Sequence, residues 1–260
     1  MKTFLFSISA FIALTSSLYA ENIQLTADNR VEWHQKENKM VAIGNAVATK
    51  GDLSIKSDEM TGFYNKTGDK SNIDTVHAHG NVVLKTSKAS GYGDTLDYDI
   101  EKDTAVLKGN PAKIKTDSET ITATDSITYY LSQNKAIATG DVIITEKDNK
   151  VFANELIGYF KKNAKGVMEI DKVDISKNVK ITTKQGIVTA KRGTYLPQQG
   201  LIKLYENVTL NQDGNILKGD IAESNLNTGV SKLISSSKNG QVSGVFKEKG
   251  KEAKDSKKDE

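Results

Sequence analysis

The sequence predicts an all-β protein, an open, twisted, β-jellyroll-like antiparallel sandwich built from repeated strand units. Three observations predict it. Apolar and polar residues alternate over one segment after another, which places the apolar set on one face of a strand. Thr and Val are frequent, and helical periodicity is poor. A short signature also recurs along nearly the whole chain. It is a small or polar residue followed by Asn or Asp, just ahead of an alternating apolar run. The copies are Gly44-Asn45, Gly80-Asn81, Gly109-Asn110, Gly140-Asp141, Lys177-Asn178 and Glu206-Asn207. Their first residues are 36, 29, 31, 37 and 29 apart, a spacing that fits strand units with variable turns better than a fixed-length solenoid.

Each unit has three pieces. An approach strand leads to the signature with apolar residues two and four positions before it, as in Met40/Ala42, Val76/Ala78, Ala105/Leu107 and Ala136/Ala138. A second strand leaves it with Ala46/Ala48, Val82/Leu84, Ala112/Ile114 and Val142/Ile144. The pairs Val179/Ile181 and Val208/Leu210 continue the series. The Gly-Asn steps read as tight connections between the two strands, because they suit unusual backbone angles. Pro111 shifts the phase of the third copy by one and belongs at a strand start or edge, where its missing donor costs least. The third piece carries Ser57-Asp58, Gly93-Asp94, Thr124-Asp125, Ala153-Asn154, Ala190-Lys191 and Gly219-Asp220. Its small member permits close packing and its polar member faces water or closes a turn. Alternating residues such as Leu96/Tyr98 and Ile127/Tyr129 follow, with Tyr64, Tyr159 and Tyr195 in related places. Strands of this kind have one apolar and one wet face. Two stacked sheets can share the apolar one, leaving free edges that invite end-to-end pairing.

The ends of the chain differ from its middle. Lys2, the apolar run from Phe4 to Leu18 and the small Ala20 make residues 1–20 read as a cleaved secretory signal, too short to span a bilayer. Residues 21–235 form the repeated region. Residues 236–260 read as a charged, disordered tail, with 11 of the 14 residues from Lys247 to Glu260 charged. Asn163 to Gly166 reads as a long hairpin loop. Cysteine is absent, which excludes thiol catalysis and Cys-ligated metals. The formal net charge of +3 comes from closely balanced acids and bases, and no concentrated basic surface of the kind nucleic-acid binding requires is visible.

Chemical sites find little support. Asp58, Asp94, Asp125 and Asp220 recur with the strand units, which favours a structural role over a catalytic pair. His77 and His79 flank Ala78 and so point to the wet side, and two ligands do not make a zinc site. Trp33 reads as core or rim packing. No phosphate cradle, cofactor motif or catalytic constellation is present, so the reading is of a protein that is not an enzyme.

The chain resembles the LptA/OstA family of lipopolysaccharide-transport proteins. The likeness lies in the opening Ile23-Gln24-Leu25-Thr26-Ala27-Asp28, then Ala42-Ile43-Gly44-Asn45-Ala46-Val47-Ala48 and Leu53-Ser54-Ile55-Lys56-Ser57-Asp58. His79-Gly80-Asn81-Val82-Val83-Leu84 and Thr139-Gly140-Asp141-Val142-Ile143-Ile144 repeat the second element. The resemblance covers residues 23–145 as the usual core, with family-like β material beyond it. It implies a periplasmic bridge that carries lipopolysaccharide between an inner-membrane transport complex and an outer-membrane translocon, with end-to-end self-assembly and no cofactor. Lipid A acyl chains would then occupy the apolar groove. The groove candidates are Ala46, Ala48, Val82, Leu84, Ala112, Ile114, Val142 and Ile144, faced by Ala78, Leu107 and Ala138. Their small side chains suit a channel for acyl chains, with about 0.8 kcal/mol gained per buried methylene, and suit a tightly packed sandwich equally well. A tethering or accessory component of the same machinery, or a structural assembly protein without lipid cargo, are the competing readings.

Overall fold

The computed structural model describes residues 23–67, 70–236 and 240–247. The segment read as a secretory signal, and the part of the predicted tail beyond residue 247, lie outside the described residues. Strands β1 (Gln24–Thr26) and β2 (Arg30–His34) lie end to end along β3 (Lys39–Lys50). β4 (Leu53–Thr67), β5 (Lys70–Lys85) and β6 (Ser90–Asp99) continue an antiparallel meander. β7 (Thr104–Lys108) and β8 (Ala112–Lys115) share β6. β9 (Thr120–Ala123) and β10 (Ser126–Tyr130) pair back onto them, β9 with β8 and β10 with β7. Both then pair with β11 (Lys135–Glu146). β12 (Asn149–Lys162), β13 (Met168–Thr183), β14 (Gly186–Leu196), β15 (Leu201–Gln212) and β16 (Asn215–Asn225) follow in order. β17 (Val230–Ile234) and β18 (Ser243–Val245) share β16 at the far end. Among the described residues the two ends of this meander do not pair with each other, so the sandwich is open.

The Gly-Asn signatures do not connect strands. Five of them sit in the middle of one long strand, and only Gly109-Asn110-Pro111 separates two, placing Pro111 immediately before β8. The reason is a β-bulge. Gly44 and Asn45 both take positive φ (87° and 45°), as do Gly80 and Asn81 (76° and 46°) and Lys177 and Asn178 (64° and 64°). On β3 the step from Ile43 to Ala46 faces the shorter step from Glu59 to Ser57 on β4. One extra residue on the bulged strand bends it and strengthens its local twist. Every long odd-numbered strand from β3 to β15 that carries a signature thus turns a corner and contributes to two sheets.

Sheet I contains β2, the first half of β3, the second half of β4, and so on in alternation to β17. Sheet II contains β1 and the complementary halves to β18. The corner between them is held on the outside by a ladder of polar side chains. Asn45 donates to Asp28 (2.7 Å), Asn81 to Asp58 (2.8 Å) and Asn178 to Asn154 (3.1 Å). The last rungs change chemistry: Arg192 donates to Glu206 (2.8 Å), one residue out of step on each strand, and Ser236 donates to Asp220 (2.9 Å). Asp58, Asn154 and Asp220, the polar members of three of the Ser-Asp, Ala-Asn and Gly-Asp pairs, are therefore ladder residues. Small residues fill the inside of the bend: Ser57, Ala153 and Ala190 are buried, and a Cβ on Gly93 would lie 2.4 Å from the Lys108 carbonyl; in the third pair Thr124 is exposed and the preceding Ala123 is buried instead.

The irregular spacing of the signatures has a longer order behind it. Gly44, Gly80 and Gly109 have counterparts at Gly140, Lys177 and Glu206, 96 or 97 residues further on. The split pair β1/β2 likewise corresponds to β9/β10. Six bent strands form one unit, which the chain runs through twice before β16 opens a third.

Candidate functional site: the interior between the sheets

Both inner faces join one hydrophobic cluster that extends from Ala42 to Leu226. Ala46, Ala112 and Ala138 are fully buried, and Ala78, Val82, Leu84, Leu107, Ile114, Val142 and Ile144 are nearly so. Ala48 is partly buried and packs against them. The residues that leave each signature line sheet II, and Ala78, Leu107 and Ala138 face them from sheet I. All eleven candidates thus meet in one interior.

That interior is a wedge. Beside the corner, Ala42, Ala46, Ala78, Ala112 and Ala138 alternate with Val82, Leu107 and Val142. Aromatic side chains stand along the opposite margin of sheet I, where Tyr64, Tyr129, Phe160 and Tyr195 are buried and Tyr98 is partly so. Simple alternation places two of these. Tyr64 keeps the inward phase of Met60, and Phe160 that of Leu156 and Gly158, which leaves Tyr159 outside, under the Lys172 ammonium 4.5 Å from its ring centre. The register shifts beside them put the extra residues, Asp74 and Asp171, on the partner strands β5 and β13. Burial pushes the Tyr129 phenol up to about 12, with Asp103 adding to the effect, and the Tyr129 hydroxyl is buried without a hydrogen-bond partner.

Two polar residues escaped the sequence reading. Glu119 and Glu146 are buried at the turn-side margin of sheet II. Pairing of Thr120 with Thr145 brings them next to each other across adjacent strands. Burial first, then these two carboxylates, raise the Tyr195 pKa, so the margins of the two sheets approach each other there. The signal was available: Glu119 precedes Ile121 by two and Glu146 follows Ile144 by two, the inward phase in both cases.

The remaining candidates lie outside the wedge. His77 faces water and its Nδ1 lies 2.7 Å from Asp97. Trp33 is 61% exposed on the edge strand β2 rather than in the core, and its indole N–H donates to the Tyr64 hydroxyl. The Asn163 loop is a hairpin between β12 and β13, closed by the Asn163 side chain accepting from Lys165 and Val167 N–H groups (2.9 and 3.1 Å). Among the described residues no three His, Asp or Glu side chains converge as a metal site.

The family model described as LptA/(LptD N-terminal domain) LPS transport protein matches residues 24–135 and again 125–230. The chain belongs to this family. The two matches follow the structural repeat, since each covers about one six-strand unit and the strands flanking it. Among solved structures, the chain is similar to LptH of Pseudomonas aeruginosa, described as the LptA-homologous periplasmic component of the conserved lipopolysaccharide transport device. Identity is 12% over 88% of this chain and 96% of that one, with a TM-score of 0.21. No curated protein matches the chain.

Proposed function

We propose that this member of the LPS transport family acts in the periplasm as a bridge that carries lipopolysaccharide between the inner and outer membranes, holding lipid A acyl chains in the wedge. The observation that carries the reading is the continuity of the apolar inner face, which runs from the first strands to β16 without a polar layer across it. Acyl chains would displace or part the small residues Ala46, Ala112 and Ala138, while the tyrosines, Glu119 and Glu146 form the more polar margin for the saccharide and phosphates. No bond is made or broken in this role, and no cofactor is needed. The partners are an inner-membrane transport complex and an outer-membrane translocon.

Both free edges suit end-to-end assembly. Val31 and Trp33 are exposed on β2, and Val230, Ile234 and Val245 on β17 and β18. Unpaired N–H and C=O groups beside exposed apolar side chains are what strand addition uses.

A second reading has its own support. Six inner alanines, Ala42, Ala46, Ala112, Ala123, Ala136 and Ala138, have no exposed surface at all, as in a sandwich whose interior is its own filling. Such a protein would be a scaffold without lipid cargo. Photo-crosslinking in cells separates the two. Probes at Val82, Leu84 and Val142 should capture lipopolysaccharide, and a probe at outward-facing Val83 should not. Folded, exported protein with no adduct at any inward position would remove the carrier reading and leave the scaffold.

A further inference from the structure

The outer surfaces of the two sheets differ in charge. On sheet II the outward row nearest the corner runs in register from Lys56 through Val83 and Tyr92 to Lys113. It continues to Phe152 beside Lys180, and on β16 to Lys218. The outward row nearer the turns holds Lys85, Lys115 and Lys150, connected strand by strand. Among the described residues, neither row contains an Asp or Glu from β1 to β18. Nor does any of these seven lysines make an ion pair. Acidic groups border the face on both sides: at the corner Asp28, Asp58 and Asp220 accept the ladder hydrogen bonds, and in the turns Asp52 accepts from Ser87 and Asp148 pairs with Lys184.

The composition of the face specifies what it fits. It holds lysine and no arginine. A lysine ammonium is a point charge on a flexible stem, suited to a diffuse negative field, whereas fixed recognition of a carboxylate or phosphate favours the planar arginine fork. The lysines are interleaved with rings and branched chains at the same level. Lys113 lies 4.8 Å from the Tyr92 ring centre and Lys180 lies 5.8 Å from that of Phe152. Val83 and Ile143 lie in the same row, and Ile187, 38% exposed, lies in the next. Basic heads above apolar side chains form the pattern of a surface that rests in a headgroup layer.

We propose that the outer face of sheet II docks on an anionic phospholipid surface. The attraction falls off within about 8 Å at physiological salt, so the face acts at contact. It is separate from the interior and does not depend on what the wedge carries.

The test uses the exported, full-length protein purified as the cell makes it. It is sedimented with vesicles of phosphatidylglycerol and phosphatidylethanolamine or of phosphatidylcholine alone. Two triple variants lose the same total charge. Lys56→Gln/Lys85→Gln/Lys115→Gln empties the sheet II face, and Lys108→Gln/Lys135→Gln/Lys232→Gln changes the outer side of sheet I. Binding to the anionic vesicles at low salt should fall at least tenfold in the first variant and less than twofold in the second, since each lysine near an anionic surface contributes separately. Binding of the unaltered protein should disappear in 0.5 M salt. Equal losses in both variants would mean that total charge and not this face is responsible, and would overturn the proposal. Salt-insensitive binding would do so too, because it signals lipid entering the interior. So would a probe at outward-facing Thr122 that captures a protein in cells when no vesicle binding is seen, which would assign the face to an acidic protein partner.

Discussion

Sheet I and sheet II are halves of the same strands, yet they handle exposed charge in opposite ways. On the outer side of sheet I cations stand beside anions. Lys172 meets Asp174 at 2.6 Å and Lys203 meets Glu223 at 2.7 Å. On sheet II the seven outward lysines make no ion pair, and Lys113 and Lys180 lie over rings. The bulge makes this segregation possible. Each strand crosses from one sheet to the other at a fixed point, so residues a few positions apart in sequence belong to different surfaces. A formal net charge of +3 averages over both and reveals neither.

The comparison is sharpest if the inner faces are equivalent while the outer ones are not. Leu156 of sheet I and Ile144 of sheet II are both buried, at 0% and 1% exposure. Truncating either to Ala should cost about 3 kcal/mol, the mid-range for a buried aliphatic side chain. Urea unfolding measures it, and a cost under 1 kcal/mol on one side only would show that this sheet is loosely packed. The corner ranks next. Gly80 has φ of 76°, and a Cβ there would lie 2.4 Å from Asp58 Oδ2. Gly80→Ala should lose about 1–2 kcal/mol from strain and a displaced ladder carboxylate. Gly62, which has nothing within 4 Å of a Cβ, should tolerate Ala or gain a few tenths.

Tyr129→Phe should stabilise the protein by about 1 kcal/mol, because it removes a buried hydroxyl without a partner. It also carries a pH signature. The folded pKa is raised above the unfolded value of 10, so the folded state keeps its proton longer. Its contribution is whole below pH 10 and lost as pH rises toward 12. The variant should therefore lose less stability than the parent over that range. The smallest effect separates the outer faces directly. Glu155 and Glu223 are held below the usual carboxylate range, chiefly by hydrogen bonds from Lys177 and Lys203. Their contribution is present above the unfolded pKa near 4.5 and is lost as pH falls through the lower folded value. Amide exchange between pH 5 and 3 should quicken slightly more in sheet I strands than in sheet II strands, whose outer rows have no carboxylate to protonate. Equal acceleration would show that the surface pairs contribute nothing measurable, as is common for exposed ion pairs.

Much of the inner face was legible from alternation alone, since a period of two fixes the inward phase once a strand is recognised. Val82/Leu84 and Val142/Ile144 needed nothing more. What alternation cannot show is a bulge. The Gly-Asn steps carry the backbone angles of a tight turn but are used inside a continuous strand, because the partner strand continues opposite them. Tyr159 groups with the inner tyrosines by its offset within the unit, whereas the alternation of Leu156, Gly158 and Phe160 carries Phe160 inward. The basic face was hidden for a different reason. Its lysines come from separate strands and become neighbours only when the register is known.

The unit of six bent strands has a consequence for how such a chain changes size. Nothing in it closes on itself, so the cross-section is set by the position of the bulge and the axial reach by how often the unit is repeated. At a strand separation of about 4.8 Å, one unit adds roughly 29 Å. A gene that duplicates this segment makes a longer rod with the same bore, and the chain becomes a ruler graduated in sixes.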